Sequence, residues 1–215
     1  MIISPGRGYI FVHIPKTGGT SMALALEKRA KADDILIGDT PKAVRRRNRI
    51  KDAQTAGRLW KHSTLADVIG LIGRDQIEHS YVFTLVRNPW DRIVSYYHWL
   101  QDQRFDHPAV HLAKATDFSG FLNADHTRRS LHAHPYGRYV SDAQGREYPC
   151  HFIRLEHLVA DMADLETHLG FKLPLGKANE SKRISDWRSY YSTADADLVA
   201  KICAADIDRF GYAFD

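Results

Sequence analysis

The sequence predicts an α/β protein, a single domain over residues 1–215 built on a central parallel sheet with flanking helices. Three observations carry this. Residues 9–14 (YIFVHI) and 81–86 (YVFTLV) are nearly continuous apolar runs, the pattern of strands buried on both faces. Each run passes directly into a helix-start signal, a glycine loop after the first and Asn88-Pro89 after the second. A chain of 215 residues, 44% hydrophobic and 26% charged, is long enough for one substantial core and short for two.

The elements follow in order. Pro15 ends the first strand, and Thr20 or Ser21 starts a helix that places Leu24, Leu26 and the alanines inside and Glu27, Lys28 and Arg29 outside. Residues 31–60 are polar and basic, with a helix start at Thr40-Pro41. Arg87 stands at the carboxyl end of the second strand. Asn88 caps the next helix, Pro89 takes its first position and Asp91 its first turn, and Trp90, Ile93, Val94, Tyr97 and Leu100 form its apolar side. Residues 104–149 read as loops and short helices. Residues 151–155 (HFIRL) predict a third strand. Leu155, Leu158, Val159, Met162, Leu165 and Leu169 step by three and four, which predicts one helix closed by Gly170. The stretch 172–191 is polar and loop-like. Ser192 with Asp195 caps a last helix carrying Leu198, Val199, Ile202 and Phe210.

Composition narrows the functional classes. A net charge of +4 mildly favours acidic ligands without identifying them. The two cysteines, Cys150 and Cys203, are far apart and make neither a disulfide framework nor a metal motif, so they read as reduced core thiols. No apolar run approaches the ~18 residues of a membrane span. No signal peptide is apparent, which predicts a cytosolic protein.

The informative stretch is FVHIPKTGGTS, residues 11–21. A strand, a glycine loop and a helix start present backbone N–H groups at the positive end of a helix dipole. Gly18 and Gly19 let the backbone approach an anion closely, Lys16 adds a mobile cation, and Thr17, Thr20 and Ser21 add hydroxyls. A tight turn with no ligand is the alternative. The order of residues excludes an ordinary nucleoside-triphosphate loop, in which the lysine follows the glycines. The second strand ends in Arg87 and not in an acidic residue that would hold Mg²⁺. Two basic strand ends in a parallel sheet suit a ligand with two separated anionic groups.

FVHIPKTGGTS resembles the 5′-phosphosulfate loop of the sulfotransferase superfamily, and VRNPWDRIVSYY (residues 86–97) resembles its 3′-phosphate motif. HFIRLEHLVADMADLETHLG, ANESKRISDWRSYY and AADIDRFGY resemble the later segments of the carbohydrate-type, bacterial branch. The resemblance covers residues 9–30, 81–100 and about 147–213, and covers 31–60 and 104–146 poorly. It implies a three-layer, P-loop-NTPase-like sheet flanked by helices. It also implies 3′-phosphoadenosine 5′-phosphosulfate as sulfuryl donor, and no metal.

By the same resemblance Lys16 lies near the bridging oxygen of the leaving phosphate, and Arg87 with Ser95 holds the 3′-phosphate. Ser181, Lys182 and Arg183 match a looser loop near the nucleotide, where a solvated basic turn is the other reading. Arg87 read alone is either a fork for phosphate oxygens or a partner of Asp91. His62, in KHSTLADVIG, is the candidate general base, since an imidazole with an unperturbed pKa of ~6.5 takes a proton at neutral pH. Its alternative is a neighbour of a helix capped by Ser63 or Thr64.

His107 with His111 and His132 with His134 lack a clear third ligand and read as loop histidines. The basic run RRRNRIK, residues 45–51, has no interleaved aromatics and reads as a solvated helix face, not a nucleic-acid site; a face toward an acidic sugar chain is a third option. Trp99, Phe105, Phe118 and Phe121 line a pocket or fill the core, with core favoured. The sequence therefore predicts a sulfotransferase acting on a hydroxyl of a carbohydrate or glycolipid. Its rivals are a P-loop-type nucleotide kinase and a non-catalytic module that binds the cofactor or acidic polymers.

Overall fold

The computed structural model describes residues 1–176 and 183–215. The chain forms two compact units, Met1–Val86 with Tyr136–Asn179, and Arg87–Pro135 with Glu180–Asp215. Its elements run β1 (Ile2–Ser4), β2 (Tyr9–Val12), α1 (Gly19–Lys28), β3 (Ile35–Leu36), α2 (Pro41–Arg46), α3 (Arg74–Glu78), β4 (Tyr81–Val86), α4 (Pro89–Gln101), α5 (Pro108–Ala115), α6 (Phe118–Asn123), α7 (Asp125–Ala133), β5 (His151–Arg154), α8 (Leu158–Asp161), α9 (Ala163–Leu169), α10 (Thr193–Ile202) and α11 (Ala204–Phe210).

The first unit holds the sheet, in the order β3-β1-β2-β4-β5. The three strands read from the sequence pair in parallel, Tyr9 opposite Tyr81 and Phe83 opposite His151. The β1 and β3 edge is antiparallel, so the sheet is mixed, with its parallel part in the middle. Both missed strands are two or three residues long, too short to show a period. Phe11 stacks on Phe83 at 5.2 Å between ring centroids, inside a core that also takes Met22, Leu26, Leu85 and Ile153. Thr84 is fully buried and its hydroxyl donates to the Val12 carbonyl at 2.7 Å, tying β4 to the end of β2.

Two helices differ from the expected pattern. In α1, Leu24 faces outward and Glu27 is buried. The Thr40 hydroxyl reaches both Glu27 carboxylate oxygens, at 2.6 and 2.8 Å, and Lys42 binds the Glu27 carbonyl, so polar partners admit a charge that periodicity placed in water. The single helix expected from residue 156 is a 3₁₀ turn followed by α8 and α9, which meet at Met162. Val159 lies on α8 and is 92% exposed, not in the core.

The second unit is helical. α4 is capped by Asn88, whose side chain accepts from the Trp90 amide, and Pro89 opens it as expected. Its apolar face meets α5, α6 and α10 in a core that includes Trp90, Tyr97, Phe118, Phe121 and Val199. Phe118 and Phe121 are core residues, whereas Phe105 is 48% exposed. Ser192 caps α10 through the Asp195 amide, and the last helix breaks at Cys203 into α10 and α11. Burial pushes the Cys203 thiol up to about 12, consistent with an inert thiol. Among the described residues no helix is long and apolar enough to cross a membrane.

Candidate active site

The loop between β2 and α1 is unusual in its backbone. Lys16 has φ 67° and Gly18 has φ 86°, and among the described residues Lys16 is the one non-glycine residue with positive φ. The left-handed region costs a residue with a Cβ about 1–2 kcal/mol. Such strain persists only where the surroundings over-determine it. Here the buried Thr17 hydroxyl donates to the Ile14 carbonyl at 2.9 Å, and Gly18 packs against the Leu155 and Leu85 side chains.

Two expectations change. The Thr17 hydroxyl spends its proton on Ile14, so what Thr17 can donate to an anion is its backbone N–H. Gly19 is dictated by a neighbouring side chain. A Cβ there would stand 2.1 Å from Cδ2 of His13, whose ring lies buried against it. Glycine at position 18 serves the turn, and glycine at position 19 makes room for a histidine.

α1 begins at this loop with no side-chain cap and no acidic residue in its first turn. α4, by contrast, has both. The first-turn amides of a helix have no intrahelical partners, and their dipole end is positive. α1 therefore presents the positive end of its dipole with no side-chain cap, beside the half-buried Lys16, Thr20 and Ser21.

His62 stands in the same unit. No helix follows it, so the capping alternative falls away. The fully buried Ser63 instead closes a turn, accepting from the Trp60 amide at 2.9 Å and holding its one hydroxyl proton within 2.9 Å reach of the Arg58 and Trp60 carbonyls. The His62 ring sits edge-on between His13, at 4.7 Å, and Trp60, at 4.9 Å. Its Nδ1 lies 2.7 Å from the His13 carbonyl. A carbonyl can only accept, so Nδ1 carries the proton and Nε2 is the lone-pair nitrogen.

Burial, above all, pushes His62 down to about 3, with the hydrogen bond to the His13 carbonyl opposing it. His13 is lowered as well, again by burial and then by His62. The expected near-ordinary imidazole is thus corrected to a neutral one across the physiological range. The consequence for stability has a definite sign. Between pH 6.5 and about 3 the unfolded chain binds protons that folded His62 refuses, so stability falls as the pH falls through that window. Above the unfolded value this contribution is flat. Thermal melts across the window should show a falling melting temperature toward acid, and His62→Gln should flatten that slope.

The second candidate group is in the helical unit. Arg87 donates to Asp91 Oδ2 through Nε at 2.8 Å and Nη2 at 2.6 Å, while Arg183 binds Asp91 Oδ1. One carboxylate thus orders two guanidinium groups, all three side chains being at most 15% exposed. The ion-pair alternative for Arg87 is therefore present, and it holds the fork in place. Ser95 is buried one turn along α4 from Asp91. Sequence reasoning placed Asp91 at the helix start and weighed it as a partner of Arg87, and missed its bond to Arg183, 92 residues further along the chain. Ser181 and Lys182 lie outside the described residues.

The remaining candidates resolve into local structure. Arg46 and Arg49, in the basic run, donate to the carbonyls of Lys31, Ala32 and Asp34. His107 accepts from the Ala109 amide at the start of α5, and His111 pairs with Asp106.

The family model described as Sulfotransferase family matches residues 1–213. No curated protein sequence matches the chain. Among solved structures, the crystal structure of mouse sulfotransferase SULT7A1 complexed with PAP is similar at 14% identity and a TM-score of 0.47, over 95% of this chain and 87% of that chain.

Proposed function

Because this chain belongs to the sulfotransferase family, and is thus an enzyme dependent on 3′-phosphoadenosine 5′-phosphosulfate, we propose that it delivers the sulfuryl group of that donor to a carbohydrate hydroxyl. In this reading Lys16 and the α1 amides hold the 5′ side, and Arg87, Ser95 and Arg183 hold the 3′-phosphate. The donor set fits the group: an uncapped helix end with a lysine and two hydroxyl residues, and a carboxylate-ordered pair of arginines. The observation that carries the reading is the positive-φ Lys16, three residues before the first residue of that uncapped helix.

The bound donor supplies a sulfuryl group on a phosphate leaving group. Lys16 places an ammonium where negative charge grows in the transition state. His62 carries a fixed, unprotonated Nε2, with His13 and Trp60 holding its plane; pushed down to about 3, it is suited to orient an acceptor hydroxyl by accepting its hydrogen bond and is a weak base for removing the proton. Carbohydrate as the acceptor is supported by Trp60, which is 44% exposed, packs against His62 and has Arg58 above its ring. An exposed indole beside the candidate base offers an apolar face to the C–H face of a sugar ring.

Calorimetric titration with adenosine 3′,5′-bisphosphate tests the donor side. The wild type is expected to bind without added metal and in preference to Mg²⁺-ATP, and Arg87→Ala to bind at least ~10-fold more weakly, as for loss of a charge-assisted hydrogen bond. Preference for Mg²⁺-ATP would overturn the reading in favour of a kinase. For the acceptor, Trp60→Ala is expected to raise the KM for a sugar acceptor and leave bisphosphate affinity unchanged. An unchanged sugar KM in Trp60→Ala, or a simple non-sugar alcohol turned over as efficiently as the sugar by the wild type, would remove the carbohydrate assignment.

A further inference from the structure

α4 carries one more polar group on its ligand face. Asp91, Ser95 and His98 are spaced four and three apart, so they lie one above another along one stripe of the helix. Arg183 binds Asp91 at one end of that stripe. Its other terminal nitrogen, Nη1, is buried and makes no hydrogen bond. Nε2 of His98 is in the same condition, buried and without a partner.

Buried polar groups are nearly always paired, and a buried donor left alone costs about 1–3 kcal/mol. Here two such nitrogens belong to side chains close enough for the Arg183 charge to bear on His98. His98 shares the helix stripe of Ser95, and Arg183 is bound to Asp91, the first member of that stripe. Once His98 is protonated both nitrogens are donors and cannot satisfy one another, but an anion with several oxygens can satisfy both.

We propose that His98 is a further binding residue for the 3′-phosphate, gaining a proton from solvent as the anion binds and donating it in a hydrogen bond from Nε2 to a phosphate oxygen. This rests on the assignment of Arg87 and Ser95 to that phosphate. The one bond formed is the N–H of the imidazolium, and the solvent gives up that proton. The groups facing His98 are Arg183, the Asp102 carboxylate one turn along, and the neutral rings of Tyr97 and Tyr190 at 5.3 and 5.0 Å. Burial and then Arg183 lower His98 below its ordinary value, so without the anion it is neutral at pH 7; Asp102 opposes them. A phosphate dianion reverses that balance, and binding therefore tightens as the pH falls.

The test is calorimetric titration of adenosine 3′,5′-bisphosphate between about pH 6 and pH 8, the range in which a perturbed histidine gains its proton. Wild type, His98→Gln and Arg87→Ala are compared in buffers of different ionisation enthalpy. The ligand's own phosphates titrate near pH ~6 in every case, so the difference between proteins is the readout. Wild-type affinity is expected to fall about tenfold more than that of His98→Gln across the range, with greater proton uptake on binding. Parallel pH profiles and equal proton uptake, with Arg87→Ala still weakened, would overturn the role of His98 and leave the 3′-phosphate assignment standing. Failure of the wild type to bind the bisphosphate would overturn both. Thermal melts establish that His98→Gln is folded; if it is not, His98→Asn is read by the same criteria.

Discussion

Lys16→Gly is expected to yield a chain at least as stable as the wild type that turns over about 10²–10³-fold more slowly, the loss typical of removing one preplaced donor at a developing oxyanion. The two halves of that result have separate causes. Lys16 sits at φ 67°, where a Cβ costs about 1–2 kcal/mol and glycine costs nothing of the kind. Glycine gives back about 0.5–1 kcal/mol through the greater freedom of the unfolded chain. The melting temperature should therefore hold or rise. Lys16→Ala keeps the Cβ and so gains no relief, yet loses the same ammonium. Single-turnover rates and melts of the two variants separate strain from catalysis. Wild-type turnover in either variant would remove Lys16 from the chemistry.

Gly19→Ala should be far more damaging than its size suggests, destabilising the fold by about 3 kcal/mol, the upper end of ordinary overpacking. The new Cβ would meet His13 Cδ2 at 2.1 Å and Nε2 at 2.4 Å. His13 has little room to yield. Its ring stacks on Phe11 at 5.8 Å and meets His62 edge-on, and the cavity it lines has a volume of about 10 Å³, room for roughly one water and not for an imidazole. A displaced His13 would also move the carbonyl that fixes the His62 tautomer. Activity is thus expected to fall further than stability alone accounts for. Gly18→Ala makes the contrast: its cost comes from φ 86° and a Leu155 contact at 3.1 Å, and it leaves His13 alone. Denaturant melts and kcat for the two variants measure the difference. Equal effects of both on kcat at matched stability would show that His13 does not transmit the clash.

The parts legible in the sequence are those written locally. β2 and β4 announce themselves because strands covered on both faces read as unbroken apolar runs, while β5 (HFIR) shows only a short apolar centre. The caps at Thr40, Asn88 and Ser192 were legible because each side chain bonds an amide two or three residues on. Lys16, Arg87 and Ser95 are proposed from motif resemblance, and Arg183 more loosely. What stayed hidden depends on contacts between distant residues. Nothing in KTGGTS says that Gly19 answers to His13, because that contact follows from how β2 leads into α1. The break at Met162 also escaped, since α8 and α9 share one leucine period while their backbones do not run on. The identity of Asp91 was legible and its bridge to Arg183 was not.

The bare end of α1 has a consequence for how the enzyme lives in a cell. Most helices carry their own N-cap, and losing one costs about 1 kcal/mol. α1 has none, so in the proposed complex the nucleotide completes the helix as well as the active site. Ligand that binds only the folded form adds to stability with the logarithm of its concentration. A shortage of the nucleotide would then slow sulfation and also leave more of the chain open to proteolysis, so the abundance of the enzyme would track the supply of its own donor.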